Sequence, residues 1–327
     1  MRKTFVFTLL CWFSLNPGLF SQTVSYQLGS TEHFRFQSNF WINMHHFLYQ
    51  KASELKRDRT ITQQEQELID QLKGDDLVRY QESLKFYKDQ IINKDLLFNE
   101  HLTRVKTYLS GFSNQTLPEN ADIDNSLFTV LNEFRDTYRK TFWPLHKSAN
   151  KARFEENIST FREIEPQVIE RLYELTEASL PAEKTLVDIT ANANWAGAYT
   201  SNYPQHIVVS STRTNTPGTT WIELVFHEAS HGLVSGRTGL VGSTIRSQSK
   251  KLNKEVPRNL WHAVLFYFAG KATAEVLENN GIPDHEEYMF RNNVFKQYHE
   301  VLNLYLPDYM TGKATFEEVI IRILNHK

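Results

Sequence analysis

Residues 227 to 231 read His-Glu-Ala-Ser-His, set within the run "LVFHEASHGL" at 224 to 233. Two imidazoles and a carboxylate inside apolar sequence need a partner, because burying ionisable groups unpaired costs several kcal/mol. A metal ion is one such partner. At positions i and i+4 of a helix, His227 and His231 share a face and can reach one zinc ion. Glu228 lies about 100° further round the helix, where it can take a proton from water on that zinc. Zinc brings the pKa of such a water to about 7, which makes a nucleophile at neutral pH. The motif therefore supplies two ligands and a base, and it requires a third ligand elsewhere.

The flanks suit a buried helix. Trp221, Ile222, Leu224, Val225 and Phe226 precede the motif, with Glu223 as the one charge among them. Further on, "RNLWHAVLFYFAGKATAEVLENNG" is apolar nearly all round and reads as a second buried helix. It holds His262 and Glu275, which lie about 140° apart around the helix axis and so do not suit the same ion. His262, deep in apolar sequence, is the preferred third ligand. Glu275 is the alternative, followed by Glu255 and Glu278. Against all of this stands the bland reading, a pair of histidines satisfied within an ordinary core.

An H-E-x-x-H helix after a short sheet, followed by a second buried helix, resembles the zincin metallopeptidases over roughly residues 185 to 280. The resemblance implies one zinc ion held by His227 and His231, Glu228 as general base, and a peptide or other amide or ester as substrate. The metzincin extension is absent, since its glycine and histidine positions hold Val234 and Arg237. The gluzincin "NExxSD" signature is absent too. The resemblance is to a gluzincin-like or divergent branch, and the third ligand expected from the residues is His262.

The elements that must position these groups come in three blocks. From Phe34 to about Leu180 the apolar spacing is mostly helical, as in "NFWINMHHFLYQKASEL". "KTLVDITA", "WAGAYTS" and "HIVVSST" then read as three short strands, with Thr220 as a cap for the helix that follows. Helices resume to the C-terminus. The expected fold is mainly α with a small β-sheet (α+β): a signal peptide at 1–21, a helical region covering the cleft at 22–182, and a zincin-like metal-binding catalytic region at 183–327.

Other polar groups sit in apolar surroundings. In the first helix His45 lies at the edge of the apolar face, where it can steady an oxyanion if that helix covers the cleft. His46 points away by helical angle. His146 raises the same question, and Tyr199 and Tyr267 are further possible donors. "HIVVSS", at 206 to 211, is the expected edge strand that would pair with an extended peptide.

The start of the chain, "MRK" followed by "TFVFTLLCWFSL" and "NPGLFS", has the layout of a secretory signal cleaved after Ser21. Cys11, the one cysteine among 327 residues, would leave with it. That excludes disulfides and cysteine–metal sites in the mature chain and fits a bacterial periplasm or medium. A net charge of −2 gives no reason to expect nucleic acid or an anionic membrane as partner, and the mature chain has no expected membrane span. Two rival functions stand beside the exported zinc metallopeptidase. One is a zincin-like metal-binding protein without efficient turnover. The other is a helical periplasmic binding or scaffold protein in which the motif is accidental.

Overall fold

The computed structural model describes residues 27–57, 62–113, 115–118, 122–234 and 239–326. The expected signal peptide lies outside these residues. Two short strands, β1 (Gln27–Ser30) and β2 (Phe34–Gln37), open the fold. Six α-helices follow among the described residues: α1 (Phe40–Arg57), α2 (Gln63–Asp70), α3 (Asp75–Phe86), α4 (Glu100–Leu109), α5 (Asn125–Thr141) and α6 (Trp143–Thr176). Next come β3 (Thr185–Thr190), β4 (Ala198–Asn202) and β5 (Gln205–Ser210). The C-terminal block holds α7 (Thr219–Ser230), α8 (Leu240–Lys251), α9 (Leu260–Asn279), α10 (Tyr288–Arg291), α11 (His299–Met310) and α12 (Phe316–Asn325). The fold is mainly α with a small β-sheet, as the sequence leads one to expect. No helix among the described residues is long and apolar enough to cross a membrane.

Among the described residues the sheet has five strands in the order β1-β2-β3-β5-β4, rather than three. β2 pairs parallel with β3 through Phe34↔Thr185 and Gln37↔Asp188, so the segment before residue 182 builds part of the sheet. β3 and β5 are also parallel, and β4 is antiparallel at the outer edge. This corrects the expectation for "HIVVSS": β5 is interior, and β4 beside it forms that edge of the sheet. The continuous apolar run of β5 is the composition of a strand covered on both faces.

Alternation along the strands separates two cores. Phe34, Phe36, Val187, Ile189, Ala198, Ile207 and Val209 face α6, α7 and α9. Tyr199 and Val208 face the N-terminal helices, where α1 contributes Phe40, Trp41, Met44 and Phe47. α7 is thus pressed against one face of the sheet. Phe226, fully buried beside His227, stacks on Phe161 of α6 with centroids 4.7 Å apart and meets Phe34 of β2 edge-on at 6.2 Å. The helix starts at Thr219 instead of being capped by Thr220. Gly218 takes the N-cap place at φ 48°, a conformation that L side chains rarely adopt.

Because Phe226 locks α7 to both α6 and the sheet, Phe226→Ala should lower unfolding stability by about 3–5 kcal/mol. Urea denaturation measures this, and a loss below about 1 kcal/mol would show that α7 is anchored elsewhere.

Candidate metal centre

His227 sits in the last turn of α7, and His231 is its C-cap, still at helical angles of φ −58° and ψ −28°. The i, i+4 relation therefore survives the end of the helix, and the two rings lie 5.0 Å apart. α9 packs across α7 and brings His262 to the same place, its ring 5.2 Å from His227 and 4.8 Å from His231. One ligand atom from each histidine falls within 4.8 Å of the others, so the three form a group that can hold a metal ion.

The donor set fits such an ion. Nε2 of His227 and Nε2 of His262 face one another at 3.2 Å. Two imidazole nitrogens bound tetrahedrally at 2.0–2.1 Å would be separated by about 3.3 Å. Burial holds all three rings neutral, so each keeps one ring nitrogen with a lone pair that can bind a metal. His231 is pushed down to about 4 by burial. His262 is pushed to about 3 by burial and then by His231. His227 falls well below the usual histidine range through burial, then through His231 and His262. Phe266 stacks on His227 at 3.4 Å and Trp261 on His262 at 5.0 Å, so aromatic faces fix the rings.

Glu228 faces the sheet side of α7. Thr200 of β4 donates its hydroxyl to Glu228 Oε2 at 2.7 Å and to the Glu228 carbonyl at 3.0 Å. Burial raises the carboxyl to about 7, against the lowering effects of the Thr200 bond and Lys106. No hydrogen bond from a described residue occupies Oε1. Sequence reasoning passed over Thr200, for nothing local marks a threonine on a strand as the holder of a glutamate on a later helix.

A second brace also went unseen. Glu223, one turn before His227, is fully buried and accepts from His285 Nε2 at 2.9 Å and from the main-chain N–H of Tyr288 at 2.8 Å. Burial raises its carboxyl above the ordinary value. This ties α10 to α7 and lays the Tyr288 ring against Phe266 at 5.7 Å. After α10 the chain leaves the helix, with Asn293 and Phe295 at positive φ. The Phe295 ring then reaches His262, with centroids 5.1 Å apart.

The remaining sequence candidates lie elsewhere. Glu275 is half exposed and pairs with Arg171 at 3.4 Å, away from the histidines. His45 does not approach the cluster through any contact among the described residues. It is buried in the N-terminal core with Nδ1 2.7 Å from the Tyr87 hydroxyl. His46, expected to point away, is fully buried. Its Nδ1 donates to the Ile42 carbonyl at 2.7 Å, so Nε2 accepts from the Tyr199 hydroxyl at 2.8 Å. Tyr199 therefore serves the face of the sheet opposite α7. His146 bridges Tyr138 and Glu65, and Tyr267 packs near Lys271 and Phe290. No family model, curated protein or solved structure matches the chain.

Behind β4, Lys106 is fully buried, with Nζ 3.0 Å from the His206 carbonyl and 4.7 Å from the Tyr199 ring centre. Burial brings it down to about 7, while Asp188 and Glu228 oppose the fall. An unfolded lysine titrates near 10.4, so between about pH 7 and 10 the unfolded chain binds the extra proton and stability rises with pH. Below about 7 both states are protonated and the burial cost is complete. Lys106→Met should remove this rise, flattening the melting temperature between pH 7 and 9 relative to wild type. An unchanged slope in the variant would assign the rise to other groups.

Proposed function

We propose that the chain is a metal-dependent hydrolase, an exported zinc metallopeptidase of the zincin kind. The observation that carries this reading is the meeting of three neutral imidazoles from α7 and α9, two of them with Nε2 atoms 3.2 Å apart, with Glu228 adjacent to His227 in the sequence of α7. Three nitrogen ligands with a fourth position open is the donor set of catalytic zinc. When bound, the metal would polarise a carbonyl and make water a nucleophile at neutral pH.

The chain's own groups would do the rest. Thr200 holds Glu228 Oε2, which leaves Oε1 as the working oxygen. Oε1 would take the proton of the attacking water and then deliver it to the departing nitrogen. Burial favours the protonated form of this carboxyl, which the second half of that transfer needs. Phe266, Trp261 and Phe295 would restrict water around the histidines.

One observation favours a second reading of the substrate. Ala198, Tyr199, Thr200 and Ser201 of the edge strand are each 7% exposed or less, which leaves little room for a peptide to add itself to the sheet. A compact amide or ester needs no such pairing.

Metal analysis and activity separate the possibilities. Purified mature protein should carry about one zinc per chain; His262→Ala should lose it and Glu275→Ala keep it. Glu228→Gln should keep the metal while cleavage of a peptide library, or of small amides and esters, falls about 10²–10⁴-fold. No metal after zinc-replete preparation would overturn the reading. Metal retained without turnover in wild type would leave a binding protein instead.

A further inference from the structure

A separate cavity of about 400 Å³ opens between α1, the segment after residue 91, and the loops that flank β4 and β5. None of the three clustered histidines lines it. Its size suits a small ligand.

Much of its polar lining is already committed. Glu54 accepts from Gln50 at 2.7 Å with one oxygen and from Lys51 at 2.8 Å with the other. Asp95 Oδ1 accepts the main-chain N–H groups of Leu97 and Phe98 at 2.8 and 3.1 Å. Asn194 Oδ1 accepts from the Ala196 N–H at 2.9 Å. Arg213 gives Nε to Asn215 at 2.9 Å and Nη1 to the Trp195 carbonyl at 2.7 Å. Its side chain runs so close beneath Gly197 that any Cβ there would collide with it.

What is left over decides the ligand class. Among the described residues, no hydrogen bond occupies Asp95 Oδ2, Lys94 Nζ, Arg213 Nη2 or the Asn194 amide nitrogen. An anion entering here would face the Asp95 and Glu54 carboxylates. A cation would face Lys94 and Arg213. A hydroxyl both donates and accepts, so an array of neighbouring hydroxyls meets one acceptor and several donors together. Trp195 is 68% exposed and adds a flat apolar face to the lining. A pyranose ring presents such hydroxyls at its rim and C–H groups on its face.

We propose that this cavity is a carbohydrate site for a neutral pyranoside, with the sugar ring against Trp195 and its hydroxyls bridging Asp95 Oδ2 and the donors of Lys94, Arg213 and Asn194. Asp95, Asn194 and Arg213 are each fixed at one end, so binding orders little more of the protein. The site stands independently of the hydrolase reading.

The test applies purified protein to an array of neutral and acidic oligosaccharides, followed by calorimetry with the best-bound neutral sugar. Wild type should bind neutral glycans. Trp195→Ala, an exposed position whose loss should leave the melting temperature unchanged, should weaken binding about tenfold. Asp95→Asn keeps an oxygen for the turn and should weaken binding as well. Stripping metal with a chelator should leave sugar affinity unchanged, which separates this result from any failure at the histidines. Silence across the neutral glycans, binding of acidic glycans alone, or wild-type affinity in both variants would overturn the proposal.

Discussion

Three imidazoles gathered where two apolar helices meet are held neutral, and each must place a ring-nitrogen lone pair. His227, His231 and His262 meet this constraint together: each is driven to neutrality chiefly by burial, and each offers a nitrogen to the same small space. Two Nε2 atoms 3.2 Å apart require something between them, either the N–H of one neutral ring or a shared cation. The arrangement of α7 against α9 is the physical answer to that requirement. Phe266 and Trp261, stacked on His227 and His262, hold the rings at angles that a loosely packed core would not maintain.

The rest of the fold serves to fix α7. One sheet face and α6 clamp it through Phe226, Phe161 and Phe34. β4 reaches it through Thr200 and sets the carboxylate of Glu228. From the far side His285 and Tyr288 hold Glu223 one turn upstream. Polar anchors therefore grip α7 from two directions while the histidines face α9. The opposite face of the sheet carries a different polar layer, His46–Tyr199 and His206–Asp188, that belongs to the N-terminal core. These two layers are kept apart by the pleat of β4, where Tyr199 and Thr200 point to opposite sides.

How much of this was legible depended on the range of each interaction. The pairing of His227 with His231 is set by helical pitch and can be read locally. His262 stood out as an imidazole in apolar sequence, whereas the pairing of Glu275 with Arg171 is a long-range contact between α9 and α6. The α+β class and the three later strands were readable from composition. β1 and β2 were not, because four-residue strands carry too little alternation and Phe34 and Phe36 merge into the apolar pattern of α1. For His45 and His46 the helical angle misled. α1 is buried all round from Phe40 to Leu48, so it has no solvent face to orient the rest. The edge position of β4 and the grip of Thr200 on Glu228 are long-range facts with no local mark.

X-ray absorption of the zinc-loaded protein shows whether these three histidines form one metal centre. A single centre should show three imidazole nitrogens at about 2.0–2.1 Å with one further light-atom ligand, falling to two imidazoles or to no bound metal in His262→Ala. A first shell with two imidazoles and a carboxylate in the wild type, unchanged by His262→Ala, would contradict it.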